Sequence, residues 1–498
     1  AFTKIMRPVV EHLRSRGLRL IIYLDDIILM AQSPILLQTH LSWTISLLQD
    51  LGFLINVQKS VLKPSQTIEF LGFQIDSIQA QLLLPAHKVR DIKRELRKAL
   101  ASEFLPIRSL ARLVGLLASS IQAIFPGPLH YRALQRLKIS HIQRGASYAK
   151  LVPLSEEVRQ ELQWWIDHME AWNGRAIFGS RPDTVIESDA SRSGWGARCG
   201  VFATGGKWSA EESSLHINCL ELLAGSFAIR ALSPTASKCC ILLRMDNVSA
   251  VRYVNKLGGT RSHLLAGIAR EFWEYCLARQ ITVIAEHIPG KSNQIADWHS
   301  RFLRDSSDWR LDPKTFRRLM FFRGPCKWDL FASRLNTQLP GFFSWRPDPL
   351  AKGTDAFLQL WGTELHYAFP PFSMIPRVTS QVRLQKAELV LIAPFWSAQA
   401  WFPSLLELSC DFPIRIPSSL NLLLDPSGCP HPLILQGQLT LLAWRISGNV
   451  SKCRAFQSRL RVISNKPWLL PLTKDTLRLG EAGLVGVWND RLIPWTPL

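Results

Sequence analysis

Four carboxylates in the middle of the chain, Asp189, Glu221, Asp246 and Asp297, and an adjacent pair near its start, Asp25–Asp26, are the residues whose settings could do chemistry. Asp189 closes the strand-like stretch "TVIESDAS", and "RSGWGARCGVF" then gives a glycine turn and a returning strand. Glu221 lies in the helical "HINCLELLAGSFAIRAL" on the face shared by Ile217, Ala224 and Ala228, which turns it toward the core. Asp246 ends the apolar run "CCILLRMDN", and Asp297 opens a helix in "GKSNQIADWHSR" after the strand "ITVIAEHI". Taken singly, each is more often a capping or strand-end residue. Gathered together, they repel one another and resist desolvation unless a cation neutralises them. Two divalent ions roughly 4 Å apart in such a cluster would activate a water on one side of a phosphodiester and stabilise the leaving oxygen on the other. Mg²⁺ (or Mn²⁺) suits all-oxygen ligands with open water positions.

The order and context of these four residues over 185–301 resemble ribonuclease H of the retroelement type. The resemblance implies that Asp189, Glu221, Asp246 and Asp297 are the ligands of two Mg²⁺ or Mn²⁺ ions, and that the substrate is the RNA strand of an RNA–DNA hybrid. It also offers His287 the role of a mobile-loop histidine, but the position of His287 within a strand pattern favours a packed side chain instead.

The pair Asp25–Asp26 sits in "IIYLDDIILM", which reads as two strands meeting at a turn. "FTKIMRPVVEHLRSRGLRLIIYLDDIILMAQS" resembles a reverse transcriptase palm, and "LGFLINVQKSVLKPSQTIEFLGFQID" its downstream segments with a primer-grip hairpin at "FLGF". By that resemblance Asp25 and Asp26 are metal ligands for nucleotidyl transfer, Tyr23 lies near the primer end, and Lys59 is the family's lysine after the helix. The family also needs an Asp on an earlier palm strand and a fingers subdomain, and the 24 residues before Asp25 contain neither. The chain opens at Ala1 without a Met and reads as a piece of a longer polyprotein. The expectation is half of a polymerase metal site, with no polymerase activity from this chain alone.

Residues 85–145 then take the place of thumb and connection. Val89, Ile92, Leu96 and Leu100 fall on one helical face, while Lys88, Arg90, Lys93, Arg94, Arg97 and Lys98 fall on the other. A solvated charge face is the ordinary reading of such a stripe. Six basic residues against Asp91 and Glu95 suit phosphate contact as well, with Lys88, Lys93, Arg94 and Arg97 as candidates.

In the last third, "KWDLFASRLNTQLPGFFSWRPDPLAKGTDAFLQLW", "LHYAFPPFSMIPRV" and "LVLIAPFWSAQAWF" resemble, in that order, phage-type adenine-N6 DNA methyltransferases. The resemblance implies that Asp329 contacts S-adenosylmethionine and that the loop at Pro370–Pro371 holds a flipped base. Active enzymes place Asn or Asp before the two prolines, because its oxygen accepts from the adenine amino group. Phe369 stands there instead, and "FASRLN" stands where a glycine-rich cofactor loop is expected. These residues argue for the fold rather than the reaction, and leave S-adenosylmethionine binding open. Reverse transcriptase, ribonuclease H and then such a domain is the arrangement of DIRS-type retrotransposon polyproteins, which the chain resembles over roughly its first 460 residues.

Composition agrees with this reading. Lys+Arg exceed Asp+Glu by 59 to 39, a net charge of +20 that suits a polyanionic partner. Nine cysteines, odd in number and without CxxC, argue against a disulfide framework or a zinc site and suit a reducing compartment, cytoplasm or nucleus. No apolar run reaches the length of a spanning helix, so no membrane role is expected. The expected fold is multidomain α/β and α+β: partial palm (1–84), helical thumb and connection (85–180), ribonuclease H mixed sheet (181–303), linker (304–325), α/β methyltransferase-like domain (326–465) and an unassigned tail (466–498). The expected partners are RNA–DNA hybrid and template-primer, together with the N-terminal polymerase portion of the parent polyprotein. The alternative is a catalytically inactive, nucleic-acid-binding remnant.

Overall fold

The computed structural model describes residues 2–301, 308–460, 462 and 483–498. The chain divides into two compact units, residues 1–181 with 256–270, and residues 182–255 with 271–498. It is a mixed α/β protein of several sheets. Among the described residues no helix is long and apolar enough to cross a membrane.

In the first unit, α1 (Phe2–Ser15) packs Met6, Val9, Val10 and Leu13 onto the hairpin of β1 (Arg19–Tyr23) and β2 (Asp26–Met30), with Leu48 from α2 (Pro34–Asp50). Ser33 caps α2 by accepting from the Leu36 N–H, and Pro34 stands in the first turn, where no N–H is needed. Only Leu20 and Ile28 of the hairpin are buried, while Ile21, Tyr23, Leu24 and Met30 are exposed. The apolar flanks of the Asp pair therefore have a core on one side only.

β3 (Thr67–Phe70), β4 (Phe73–Asp76) and β5 (Gln81–Leu83) form an antiparallel sheet that β6 (Arg175–Ala176) completes. Four helices follow β5: α3 (Ala86–Leu100), α4 (Ile107–Ser120), α5 (Arg132–Gln143) and α6 (Glu156–His168). They bury Val89, Ile92, Leu96, Leu110, Leu117, Leu162 and Trp165 in a shared core. Glu161 of α6 is buried and accepts from the Ala133 and Leu134 N–H groups, which serves the N-terminus of α5 from a distance.

The second unit is built on two five-stranded sheets. The first runs β9 (Phe202–Lys207), β8 (Gly194–Cys199), β7 (Thr184–Ala190), β10 (Cys240–Met245), β11 (Thr282–His287). β7, β10 and β11 are parallel, β8 is antiparallel to β7, and β9 is antiparallel to β8. α7 (Ile217–Leu232) packs on this sheet, with Gly225 against Leu243 and Met245, and α8 (Gln294–Arg301) packs on β8.

The second sheet runs β12 (Leu365–Ala368), β13 (Glu388–Pro394), β15 (Leu441–Ser447), β14 (Ile414–Arg415), β16 (Thr496–Pro497). β13 is buried along its whole length, as the apolar run Leu389–Pro394 implies, and the Glu388 that opens it is paired with Arg445 and Lys452.

Two expected boundaries are corrected here. The linker 304–325 lies outside the described residues as far as 307. Thereafter α9 (Pro313–Arg323) is an integral helix, with Phe316 and Leu319 in the core and the buried Arg323 bonded to Asp411. Its basic residues hid a short apolar stripe. Of the unassigned tail, 466–482 lies outside the described residues. Residues 484–498 form strands that bury Val485 and Ile493 and add β16 to the sheet edge. Strands this short carry no usable period.

Candidate metal centre

β7 and β10 are neighbouring parallel strands in the register Ile241↔Thr184 through Arg244↔Glu187, so both run out at the same edge of the sheet. Asp189 near the end of β7 and Asp246 just past β10 therefore emerge side by side, at the carboxyl ends where open sheets commonly bind ligands. Glu221, one turn into α7, reaches the same place. One oxygen from each of Asp189, Glu221 and Asp246 lies within 4.8 Å of the others, and no further cluster of three potential metal ligands occurs among the described residues.

Burial makes this arrangement costly without a cation. Desolvation, and then the neighbouring Asp189 and Asp246 charges, push Glu221 up to about 9. Desolvation raises Asp189 to about 6, with Asp246 and Asp297 adding to it and the Ser300 hydroxyl opposing. Asp246 is also raised, first by burial and then by Asp297. Glu221 Oε2 is buried without a hydrogen-bond partner. Three gathered carboxylates, one of them with a buried oxygen that no donor reaches, fit a hard divalent cation.

The fourth carboxylate stands apart from this group. α8 lies flat on the sheet because Gly196 and Gly205 face it. A Cβ on Gly196 would meet Ala296 O at 2.0 Å and Ser300 N at 2.6 Å, and one on Gly205 would meet His299 O at 2.6 Å. Asn293, fully buried, donates to Ser188 O and ties the start of α8 to β7. Ser300 Oγ donates to Asp189 Oδ2 at 2.7 Å, and Ser191 Oγ donates to Ser300 O at 2.6 Å. Asp297 is bonded to Arg301, whose Nε and Nη2 lie 2.7 and 2.6 Å from its Oδ1. Asn293, Ser191 and Ser300 escaped the sequence reading, since small polar residues near a helix carry no signal of burial. His287 ends β11 exposed, with Nε2 3.1 Å from Asp246 O, so the packed histidine expected there is corrected: its strand stops at the sheet edge.

Asp25 and Asp26 sit at the tip of the β1–β2 hairpin, where Tyr23 pairs with Asp26 and Leu24 adopts a left-handed φ of 55°. Both carboxylates are exposed, as are Tyr23 and Lys59. No third potential ligand among the described residues joins the pair.

The basic face of α3 is partly engaged within the protein. Lys88 donates to Gly72 O, Lys93 pairs with Glu170, and Arg94 pairs with Asp91, whereas Arg97 is exposed.

In the second unit a cavity of about 490 Å³ is lined by Phe331, Arg334, Asn336, Trp345, Phe369 and Pro371, among others. Asp329 is not on its wall. Its carboxylate is buried, accepts from Gln338 N, and is pushed up to about 7 by desolvation. Pro370 is buried behind Pro371. From the segment expected to cradle a cofactor, Arg334 instead reaches Glu212, with Nη1 and Nη2 at 2.9 and 2.7 Å, and Lys207 O at 2.5 Å. With Asp329 turned inward and Phe369 offering no acceptor, the residues present do not fit S-adenosylmethionine-dependent transfer to adenine.

Residues 1–75 match the reverse transcriptase (RNA-dependent DNA polymerase) family. No curated protein matches the chain. Among solved structures, a foamy viral protease-reverse transcriptase in complex with RNA/DNA hybrid is 13% identical, over 57% of this chain and 37% of that one, with a TM-score of 0.31. The same kind of foamy viral protein with dsDNA is 16% identical, over 57% of this chain and 58% of that one, at a TM-score of 0.30. Ribonuclease H1 from the halophilic archaeon Halobacterium salinarum is 19% identical, over 23% of this chain and 91% of that one, at 0.18. The chain thus spans well under two thirds of the foamy viral chains it matches, and likenesses at these scores leave function to the site itself.

Proposed function

We propose that this chain is a retroelement reverse transcriptase–ribonuclease H segment of DIRS type, whose working site hydrolyses the RNA strand of RNA–DNA hybrids with two Mg²⁺ or Mn²⁺ ions. The observation that carries the reading is the convergence of Asp189, Glu221 and Asp246, with Glu221 Oε2 buried and unpartnered. When bound, the ions would supply an activated water and charge stabilisation at the leaving oxygen. The chain's own part is to hold the carboxylates. Ser300 fixes Asp189, the α7 backbone brings Glu221 to the strand ends, and Asn293 anchors the helix that carries Asp297. The match of residues 1–75 to the reverse transcriptase family supports the hairpin Asp25–Asp26 as part of a polymerase centre in the parent protein. Two exposed carboxylates do not make a two-ion site, so polymerisation is not assigned to these residues alone.

The test is cleavage of a labelled RNA–DNA hybrid by the full chain with Mg²⁺ or Mn²⁺, beside Asp246→Asn. Hybrid-specific cleavage that disappears in Asp246→Asn supports the reading. A folded chain that binds the hybrid and never cuts it is instead a nucleic-acid-binding remnant, a role its net charge of +20 suits.

A further inference from the structure

Two neighbouring residues on the last turn of α8 treat two carboxylates of the site in opposite ways. Ser300, 1% exposed, holds Asp189 by a hydrogen bond inside the cluster. Arg301, whose side chain is about half exposed, holds Asp297 by a charge pair at the surface. Asp189, Glu221 and Asp246 are close enough to share one cation, and Asp297 is left out of that group. The Arg301 guanidinium also lies near enough to Asp189, Asp246 and Glu221 to favour their charged forms.

We propose that Arg301 is a positioning residue that keeps Asp297 from joining the other three carboxylates until a backbone phosphate of the nucleic acid takes the guanidinium. The inference rests on the two-ion nuclease reading above. An exposed i,i+4 ion pair is weak and readily exchanged. A backbone phosphodiester carries the same single charge as a carboxylate but offers the planar fork two oxygens, whereas Nε and Nη2 now share the one Asp297 Oδ1. The exchange conserves charge: Arg301 passes from a carboxylate to a phosphate, and the released Asp297 becomes available to a second cation. The free protein would then hold one divalent ion tightly, and the complete site would assemble only with substrate in place. Such ordering keeps a two-ion nuclease idle when no backbone is bound.

The test counts manganese bound to the full chain by paramagnetic resonance, taking only the binding that Asp246→Asn abolishes. It is done with and without an uncleavable 2′-O-methyl RNA–DNA hybrid. Wild type is expected to hold one ion alone and two with the hybrid. Arg301→Gln is expected to take up the second ion without the hybrid, with its affinity for that ion raised roughly 5- to 10-fold. The same variant should bind the hybrid more weakly, with the salt dependence of binding reduced by about one phosphate contact. Arg301→Lys, which keeps the charge, should restore the wild-type count. If Arg301→Gln shows the wild-type count in both states, the positioning role is overturned while the nuclease reading stands. If wild type binds no manganese that depends on Asp246, the nuclease reading falls, and the role of Arg301 falls with it.

Discussion

The chain carries two acidic sites, and they are opposites. At the hairpin tip, Asp25 and Asp26 are adjacent in sequence, exposed, and joined by no further ligand among the described residues. At the edge of the mixed sheet, Asp189, Glu221 and Asp246 come from three separate elements and meet within 4.8 Å, largely buried. Adjacency along the chain therefore says little about a metal site. Convergence with burial says more, because gathering desolvated carboxylates is costly unless a cation or bound protons neutralise them. The surroundings repeat the contrast. The hairpin has a core on one face and exposes Ile21, Tyr23, Leu24 and Met30 on the other, a surface suited to further protein or nucleic acid. The sheet that bears the buried cluster is covered by α7 and by α8, which glycines draw in.

The largest effect is expected in catalysis at the buried cluster. Asp246→Asn is expected to lower hybrid cleavage by at least about 1,000-fold, since it removes a ligand on which charge stabilisation depends. The rate of cleavage at saturating Mg²⁺ measures it, and activity within a few-fold of wild type would show that the cluster is not the working site.

Packing gives the next largest effect. Gly196→Ala places a methyl group 2.0 Å from Ala296 O, so α8 must lift from β8. A loss of about 2–3 kcal/mol is expected by denaturant unfolding, together with weaker cleavage, because Ser300 and Asp297 ride on that helix. A variant as stable and as active as wild type would mean that the close approach is not maintained.

The pH dependence separates buried from exposed carboxylates. Asp189 near 6 and Glu221 near 9 are both raised, so the folded, metal-free state keeps protons that the unfolded chain has released. That stability is full below about pH 4 and is lost as pH rises through 6 and toward 9. Glu161 in the first unit, raised to about 7 by burial, contributes with the same sign. Melting in chelator between pH 5 and 9 should therefore show a falling midpoint. Glu221→Gln should remove the part of the slope nearest pH 9, and saturating Mg²⁺ should flatten the curve, since a bound cation favours the ionised forms. A wild-type midpoint that rises over this range would contradict the burial of the cluster.

The smallest effect belongs to the hairpin. Asp25→Asn with Asp26→Asn should move the unfolding free energy by no more than about 0.5 kcal/mol, as expected of exposed positions. A larger change would mean that the pair is held by contacts absent from this fold.

The local setting of each carboxylate is legible in the sequence. Asp189 and Asp246 stand at strand ends and Glu221 on a core-facing helix because apolar runs and a 3.6-residue period are local properties of sequence. The paired strands around Gly72 are legible for the same reason. Less of the last third could be read. There Asp329 turned into the core, Arg334 turned to Glu212, and a basic segment became the packed helix α9.

Local sequence was enough for the longer strands, for the apolar faces of α3 and α7, and for the acids that stand at element ends. The tertiary structure alone decided which of those acids meet. The parallel register of β7 and β10 put Asp189 beside Asp246, and the close approach at Gly196 laid α8 against them. On that helix Asp297 pairs with Arg301. Those outcomes depend on distances between residues far apart in the chain, and side-chain identity does not encode such distances until the backbone has packed.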